Sequence, residues 1–401
     1  VSLIRPPVES CISVEPLNFM SAKPSRYFGI DVLRGGAALL ILFRHMPLPE
    51  EIGALADAAR FLSAVGWVGV DLFFVISGFL ISQILFREIN QSGRINLPRF
   101  WFRRGCKIWP SYFVFYGIGM ASVAVVDPNI TALDLGKYWP NLLFIQNYFP
   151  DTMRWRHSWS LAVEEQFYIA LPILLTGWLI LRAKGRSTTG DCFVPGLLML
   201  CAIVLCGRSA VALGGADWEK IYYPTHLRID ALAWGVLLGY LTQYRAAWLG
   251  TQLPKLKYAV IISVVPFVLA LYQNSIETSP AIFWSVGFSV LSIWFLWAVA
   301  LAVVPPDAVA SSGRPWYHWL IRPLAWLGIY SYTIYLAHAI VFKLPGMTEF
   351  RGWFYRMVNI GSWSDSVLFI GLSIILGWLG ARLLEQPILR WRDINYPASK
   401  P

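Results

Sequence analysis

What most restricts the fold of this 401-residue chain is the recurrence of apolar runs close to the ~20 residues that an α-helix needs to cross a bilayer. Ten can be marked between charged or Pro/Gly-rich breaks: Phe28 to His45, Gly66 to Phe86, Ile108 to Val126, Leu161 to Leu181 and Phe193 to Leu213 in the first half, then Leu227 to Tyr244, Tyr258 to Tyr272, Ala281 to Val304, Leu324 to Phe342 and Ser366 to Leu384. Charged residues make up 14% of the chain, against roughly 25% in soluble domains, and hydrophobic ones 57%. The expected fold class is all-α, a polytopic transmembrane helix bundle of about ten helices. One transmembrane domain over 27–392 is expected between a polar tail at 1–26 and a short tail at 393–401. No polar stretch is long enough for a separate soluble domain.

The first 26 residues carry prolines and charges where a signal peptide needs an apolar core, so the first helix is expected to act as its own insertion signal. With the amino end inside, 21 of the 33 lysines and arginines fall on the cytosolic side, and both termini are expected there. Lys343, Arg351 and Arg356 run against that count. The net charge of +10 thus reflects membrane orientation; nucleic-acid binding is excluded because no domain could hold a duplex or a stacked strand. Five cysteines, Cys11, Cys106, Cys192, Cys201 and Cys206, show neither paired spacing nor nearby histidines, and read as free thiols or small apolar residues. No metal site is expected.

Ionisable groups inside the apolar runs are the features that need explaining, since each costs at least about 2.5 kcal/mol to insert. In "DVLRGGAALLILFRH" the eleven-residue step from Arg34 to His45 returns to within about 20° of the same helical face and climbs roughly 16 Å. Asp31 is spaced to pair with Arg34, and Gly35, Gly36 and Ala37 admit a close neighbour. An ion pair and an interfacial histidine would account for this stretch equally well; what favours function is its company. "GWVGVDLFFVISGFLIS" brings Asp71 and Ser77. "RHSWSLAVEEQFY" brings Arg156, His157, Glu164 and Glu165 at the outer mouth, where adjacent carboxylates point about 100° apart. Either could orient a histidine or act as an acid, or simply favour a helix start. "YPTHLRIDALAWG" adds His226, Arg228 and Asp230; "YSYTIYLAHAIV" adds Tyr332, Tyr335 and His338. Glu385 is expected to pair with an arginine. "LPRFWFRRGCKIWPSYF" has the interleaved aromatic and basic composition of a helix lying in the headgroup region. The segment from Asp127 to His157 is expected to fold over the outer mouth. The chain shows no internal repeat, which weighs against an inverted-repeat transporter.

Six fragments in order, "DVLRGGAALLILFRH", "GVDLFFVISGFLIS", "FRRGCKIWPSY", "SWSLAVEEQFY", "LRIDALAWG" and "SYTIYLAH", resemble the acyltransferase-3 family of bacterial membrane O-acyltransferases, over about Arg26 to Arg392. The resemblance implies a multi-pass protein of the cytoplasmic (inner) membrane. It would move an acyl group, acetyl by default, from cytosolic acyl-CoA to a hydroxyl of a carbohydrate or glycolipid acceptor. It maps the signature arginine and histidine of the first helix to Arg34 and His45. The RxxR motif linked to acyl-CoA falls on Arg104 and Lys107, with Arg103 beside them. Lysine in the second place keeps the charge but lacks arginine's bidentate grip. Some relatives continue into a soluble esterase-like domain; ending at Pro401, this chain is expected to complete transfer within the membrane.

On this reading His45 is the general base, with Glu164 or Glu165 holding its tautomer, or else a covalent acyl carrier. Arg34 would position the pantetheine arm or hold a water-filled donor channel open, and Arg103, Arg104 and Lys107 would meet the phosphates. Asp71, Ser77, His157, Arg228, Asp230, Tyr335 and His338 are the expected substrate-binding residues. The rival readings are a transporter or flippase of glycolipid or polysaccharide precursors, with charges lining a conduction path, and a non-catalytic membrane sensor or scaffold.

Overall fold

A computed structural model describes residues 27–126, 131, 134, 136–150, 155–183, 192–255, 258, 283–303, 318–358 and 361–397. The amino-terminal tail and, beyond its first residue, the expected span Tyr258 to Tyr272 lie outside the described residues. The described elements are helices throughout, with no strand among them. We number the main ones α1 (Phe28–His45), α2 (Ala54–Val65), α3 (Val68–Ser92), α4 (Leu97–Val126), α5 (Trp159–Ala183) and α6 (Phe193–Leu213). The rest are α7 (Ile229–Tyr244), α8 (Phe288–Val303), α9 (His318–Ala337), α10 (Met347–Val358), α11 (Trp363–Gly380) and α12 (Gln386–Asn395). Among the described residues, seven helical stretches are long and apolar enough to cross a membrane, containing α3, α4, α5, α6, α8, α9 and α11. Of the other two expected spans, α1 carries three charged side chains in its 18 residues, and α7 has only 16 residues.

Three features differ from the sequence expectation. The basic aromatic stretch before the third span is not a separate interfacial helix: α4 runs unbroken from Leu97 to Val126, with Pro110 inside it. A π-helical turn, Ala381–Glu385, carries α11 directly into α12, so the last helix extends to Asn395. Two short helices, α2 and α10, stand in what sequence periodicity leaves as loops.

The core is built where α3 packs along α7 and α1 along α9, with α9 also against α11. A Cβ at Gly35 would stand 1.9 Å from the Leu324 carbonyl oxygen, and one at Gly328 only 1.8 Å from that of Asp31, so glycine is required on both sides of the α1–α9 crossing. That crossing fixes Arg34 and aligns the far ends of α1 and α9.

Candidate active site

Beside the α1–α9 crossing, five helices line a cavity of about 130 Å³. The α3 residues Val70, Phe73, Phe74, Ser77, Leu80 and Ile81 recur at helical spacing, so they form one face that runs roughly 16 Å along the cavity. Opposite stand Ser160, Leu161, Glu164 and Tyr168 of α5, spaced the same way. Arg34 of α1, Arg104 and Lys107 of α4, and Ser331, Tyr332 and Tyr335 of α9 complete it. Three cations therefore share a small space with one lining carboxylate, that of Glu164.

The polar lining is tied together. Tyr168 donates its hydroxyl to Glu164 Oε2 at 2.6 Å and lies 2.6 Å from Ser77 Oγ. Tyr332 donates to the Ile108 carbonyl at 2.7 Å, and the Lys107 ammonium lies 5.8 Å from the centre of its ring. Lys107 also forms an ion pair with Glu385, so the expected arginine partner of Glu385 is in fact a lysine. The difference is geometric: the π-helical turn swings Glu385 inward to α4.

At the end of the cavity bearing Ser160 and Tyr335, a second cluster begins. The Tyr335 hydroxyl lies 2.7 Å from Ser160 Oγ and donates to the His157 carbonyl at 2.5 Å. Its ring centre is 5.7 Å from that of His157 and 5.3 Å from that of His338. His338 in turn stands 5.2 Å from both His157 and His45, ring centre to ring centre. Tyr335 thus belongs to the cavity and to the three-imidazole cluster at once. His45 is exposed, whereas His338 is buried. His157 Nε2 and His338 Nδ1 are buried without a hydrogen-bond partner among the described residues.

The adjacent carboxylates diverge, as a 100° step requires. Glu164 faces the cavity; Glu165 faces α4 and accepts from Trp109 Nε1 at 3.0 Å. Among the described residues neither hydrogen-bonds an imidazole. Arg103, grouped by sequence with Arg104 and Lys107, points elsewhere: it pairs with Asp393 of α12 at 2.9 Å and bonds the Tyr396 carbonyl.

Asp71, Arg228 and Asp230 do not line the cavity. Arg228 and Asp71 are both wholly buried and meet at 2.5 Å; the guanidinium lies 3.8 Å from the Phe288 ring centre and 4.7 Å from that of Tyr222. Asp230 is held by Arg208 in a two-pronged pair of 3.2 and 2.9 Å, braced by Ser289. These pairs join α3, α6, α7 and α8. His226 stacks on Tyr148 at the surface, away from the other imidazoles.

Four residues went unremarked in the sequence. Ser160, Tyr168 and Ser331 are ordinary polar residues until the fold brings them to one cavity. Arg208, a lone charge within an apolar run, carried a signal, because such a group needs a buried partner.

Curated relatives align with most of the chain. "Putative O-acetyltransferase SAR0937" of Staphylococcus aureus (strain MRSA252) is 29% identical over 94% of this chain and 61% of its own length. "Putative peptidoglycan O-acetyltransferase YrhL" of Bacillus subtilis (strain 168) is 27% identical, covering 90% and 54%. "O-acetyltransferase OatA" of Staphylococcus aureus (strain NCTC 8325 / PS 47) is 26% identical, covering 90% and 57%. The chain therefore spans little more than half the length of the relatives it matches. No solved structure matches it. The family model Acyl_transf_3, described as an acyltransferase domain, matches residues 27–382, which include the α1 arginine and histidine, the basic face of α4, the α5 carboxylates and the α9 cluster; the chain belongs to the acyltransferase-3 family.

Proposed function

We propose that this chain is a membrane O-acetyltransferase that takes an acetyl group from cytosolic acetyl-CoA to a hydroxyl of a carbohydrate-containing acceptor. The observation that carries the reading is the cavity itself, cationic at Arg34, Arg104 and Lys107 and joined through Tyr335 to the imidazole cluster of His45, His157 and His338. A peptidoglycan sugar is one acceptor, in keeping with the name of the Bacillus subtilis relative. The lysine and arginine distribution favours a cytoplasmic-membrane protein with the Arg104 end inside and the His45 end outside.

Arg104 and Lys107 meet the donor's phosphates by charge-assisted hydrogen bonds, and Lys107 exchanges Glu385 for phosphate as it does so. Arg34 receives the pantetheine arm. His45, the exposed imidazole of the three, takes the proton of the acceptor hydroxyl while that oxygen bonds to the thioester carbonyl carbon. The carbon–sulfur bond then breaks, and the departing CoA thiolate takes the proton back from the imidazolium. His338, rather than Glu164 or Glu165, is the side chain that orients His45, and Glu164 acts instead through Tyr168 to shape the cavity.

Binding and turnover by the detergent-solubilised protein test the reading. Acetyl-CoA that binds, and releases free CoA thiol when peptidoglycan fragments or another glycan acceptor is added, supports it. Absence of acetyl-CoA binding, together with movement of glycolipid across liposomes containing the protein, overturns it in favour of transport.

A further inference from the structure

The end of the cavity next to the imidazoles differs in kind from the rest. The cations lie on α1 and α4, whereas at this end two hydroxyls, Ser160 and Tyr335, stand among the apolar side chains of Val70, Phe74 and Leu161. Phe74 is wholly buried and meets the Trp159 indole edge to face, with ring centres 5.7 Å apart and planes at 88°. Trp159 is in turn packed on Tyr222 and Tyr223, at 4.6 and 5.6 Å. Phe74 is therefore backed by a rigid aromatic stack and cannot turn aside for a larger occupant. The room available is also small. A cavity of about 150 Å³ accepts a molecule the size of benzene. The whole cavity, its cationic part included, measures about 130 Å³, so the end bearing Ser160 and Tyr335 is smaller still.

We propose that this end is an acyl chamber closed by Phe74, and that Phe74 restricts the protein to short acyl groups. The inference rests on the acyl-transfer reading above and adds what decides which acyl group is carried. With the phosphates drawn to Arg104 and Lys107, the acyl end of the donor reaches the chamber. A longer chain must either displace Phe74 from Trp159 or lie against Arg34 and Glu164, where apolar atoms would strip charged groups of solvent.

Equilibrium binding of CoA, acetyl-CoA and butyryl-CoA to the full chain in detergent tests this without knowledge of the acceptor. The wild type should bind acetyl-CoA at least about ten-fold more tightly than butyryl-CoA, the scale on which a closed apolar site distinguishes added methylenes. Phe74→Ala should reduce that ratio by about ten-fold, and the milder Phe74→Leu by about three-fold. If Phe74→Ala does not yield a monodisperse protein, Phe74→Leu decides. A wild type that binds both acyl-CoAs equally, or a folded variant that keeps the wild-type ratio, overturns the chamber while leaving acyl transfer intact. A wild type that binds neither acetyl-CoA nor CoA removes the functional reading and the chamber with it.

Discussion

Removing the Asp71 carboxylate should destabilise the protein sharply without altering its handling of substrate. Asp71 and Arg228 are both at 0% exposure and meet at 2.5 Å. Asp71→Ala leaves the guanidinium buried with its charge uncompensated, a change that costs about 3–5 kcal/mol where one partner of a buried pair is deleted. The expectation is a loss of about 3–5 kcal/mol, read as a lower denaturant midpoint for the detergent-solubilised protein. The double variant Asp71→Leu with Arg228→Met should recover most of it, because two apolar groups of similar volume need no partner. The Michaelis constants of material that still folds should stay at wild-type values, since neither residue lines the cavity. A single variant as stable as wild type, or a double variant no better than the single, would refute the argument that the pair serves the fold.

Gly35→Ala places a methyl group 1.9 Å from the Leu324 carbonyl, so α1 and α9 must separate; a loss of about 1–3 kcal/mol is expected from thermal unfolding, with reduced turnover as Arg34 and His45 shift. Arg104→Ala should raise KM for acetyl-CoA about ten-fold or more, the loss of one hydrogen bond to a charged group. Arg103→Ala should leave that KM unchanged, because Arg103 pairs with Asp393 outside the cavity; steady-state kinetics of the two variants side by side check the contrast.

Much of this architecture was legible because a spanning helix announces itself locally, by length and apolarity. What escaped were elements defined by their surroundings. Twelve-residue α2 and α10 are too short to stand out, and one proline at 110 does not break α4. At the site, the single-helix step from Arg34 to His45 could be worked from periodicity; Arg34 lines the cavity, and His45 stands outside its lining, against His338. Pairings between distant residues could not be read: Asp71 finds Arg228 across 157 positions, and Lys107 finds Glu385 across 278. The sequence shows that each buried charge needs a partner but not which one: Asp71 pairs with Arg228 and Asp230 with Arg208, both away from the cavity. Likewise, the 100° step separating Glu164 from Glu165 and the i,i+4 spacing of Glu164 and Tyr168 are local facts, while the bond of Glu165 to Trp109 depends on how α5 is rotated in the bundle.

The role given to His45 is tested most directly by single-turnover release of CoA thiol from acetyl-CoA in the presence of a glycan acceptor, comparing wild type with His45→Ala. A general base contributes about 10²–10⁴-fold. The account predicts at least a 100-fold slower release, on the order of that contribution, with acetyl-CoA binding unchanged; release at the wild-type rate from the folded variant would contradict it.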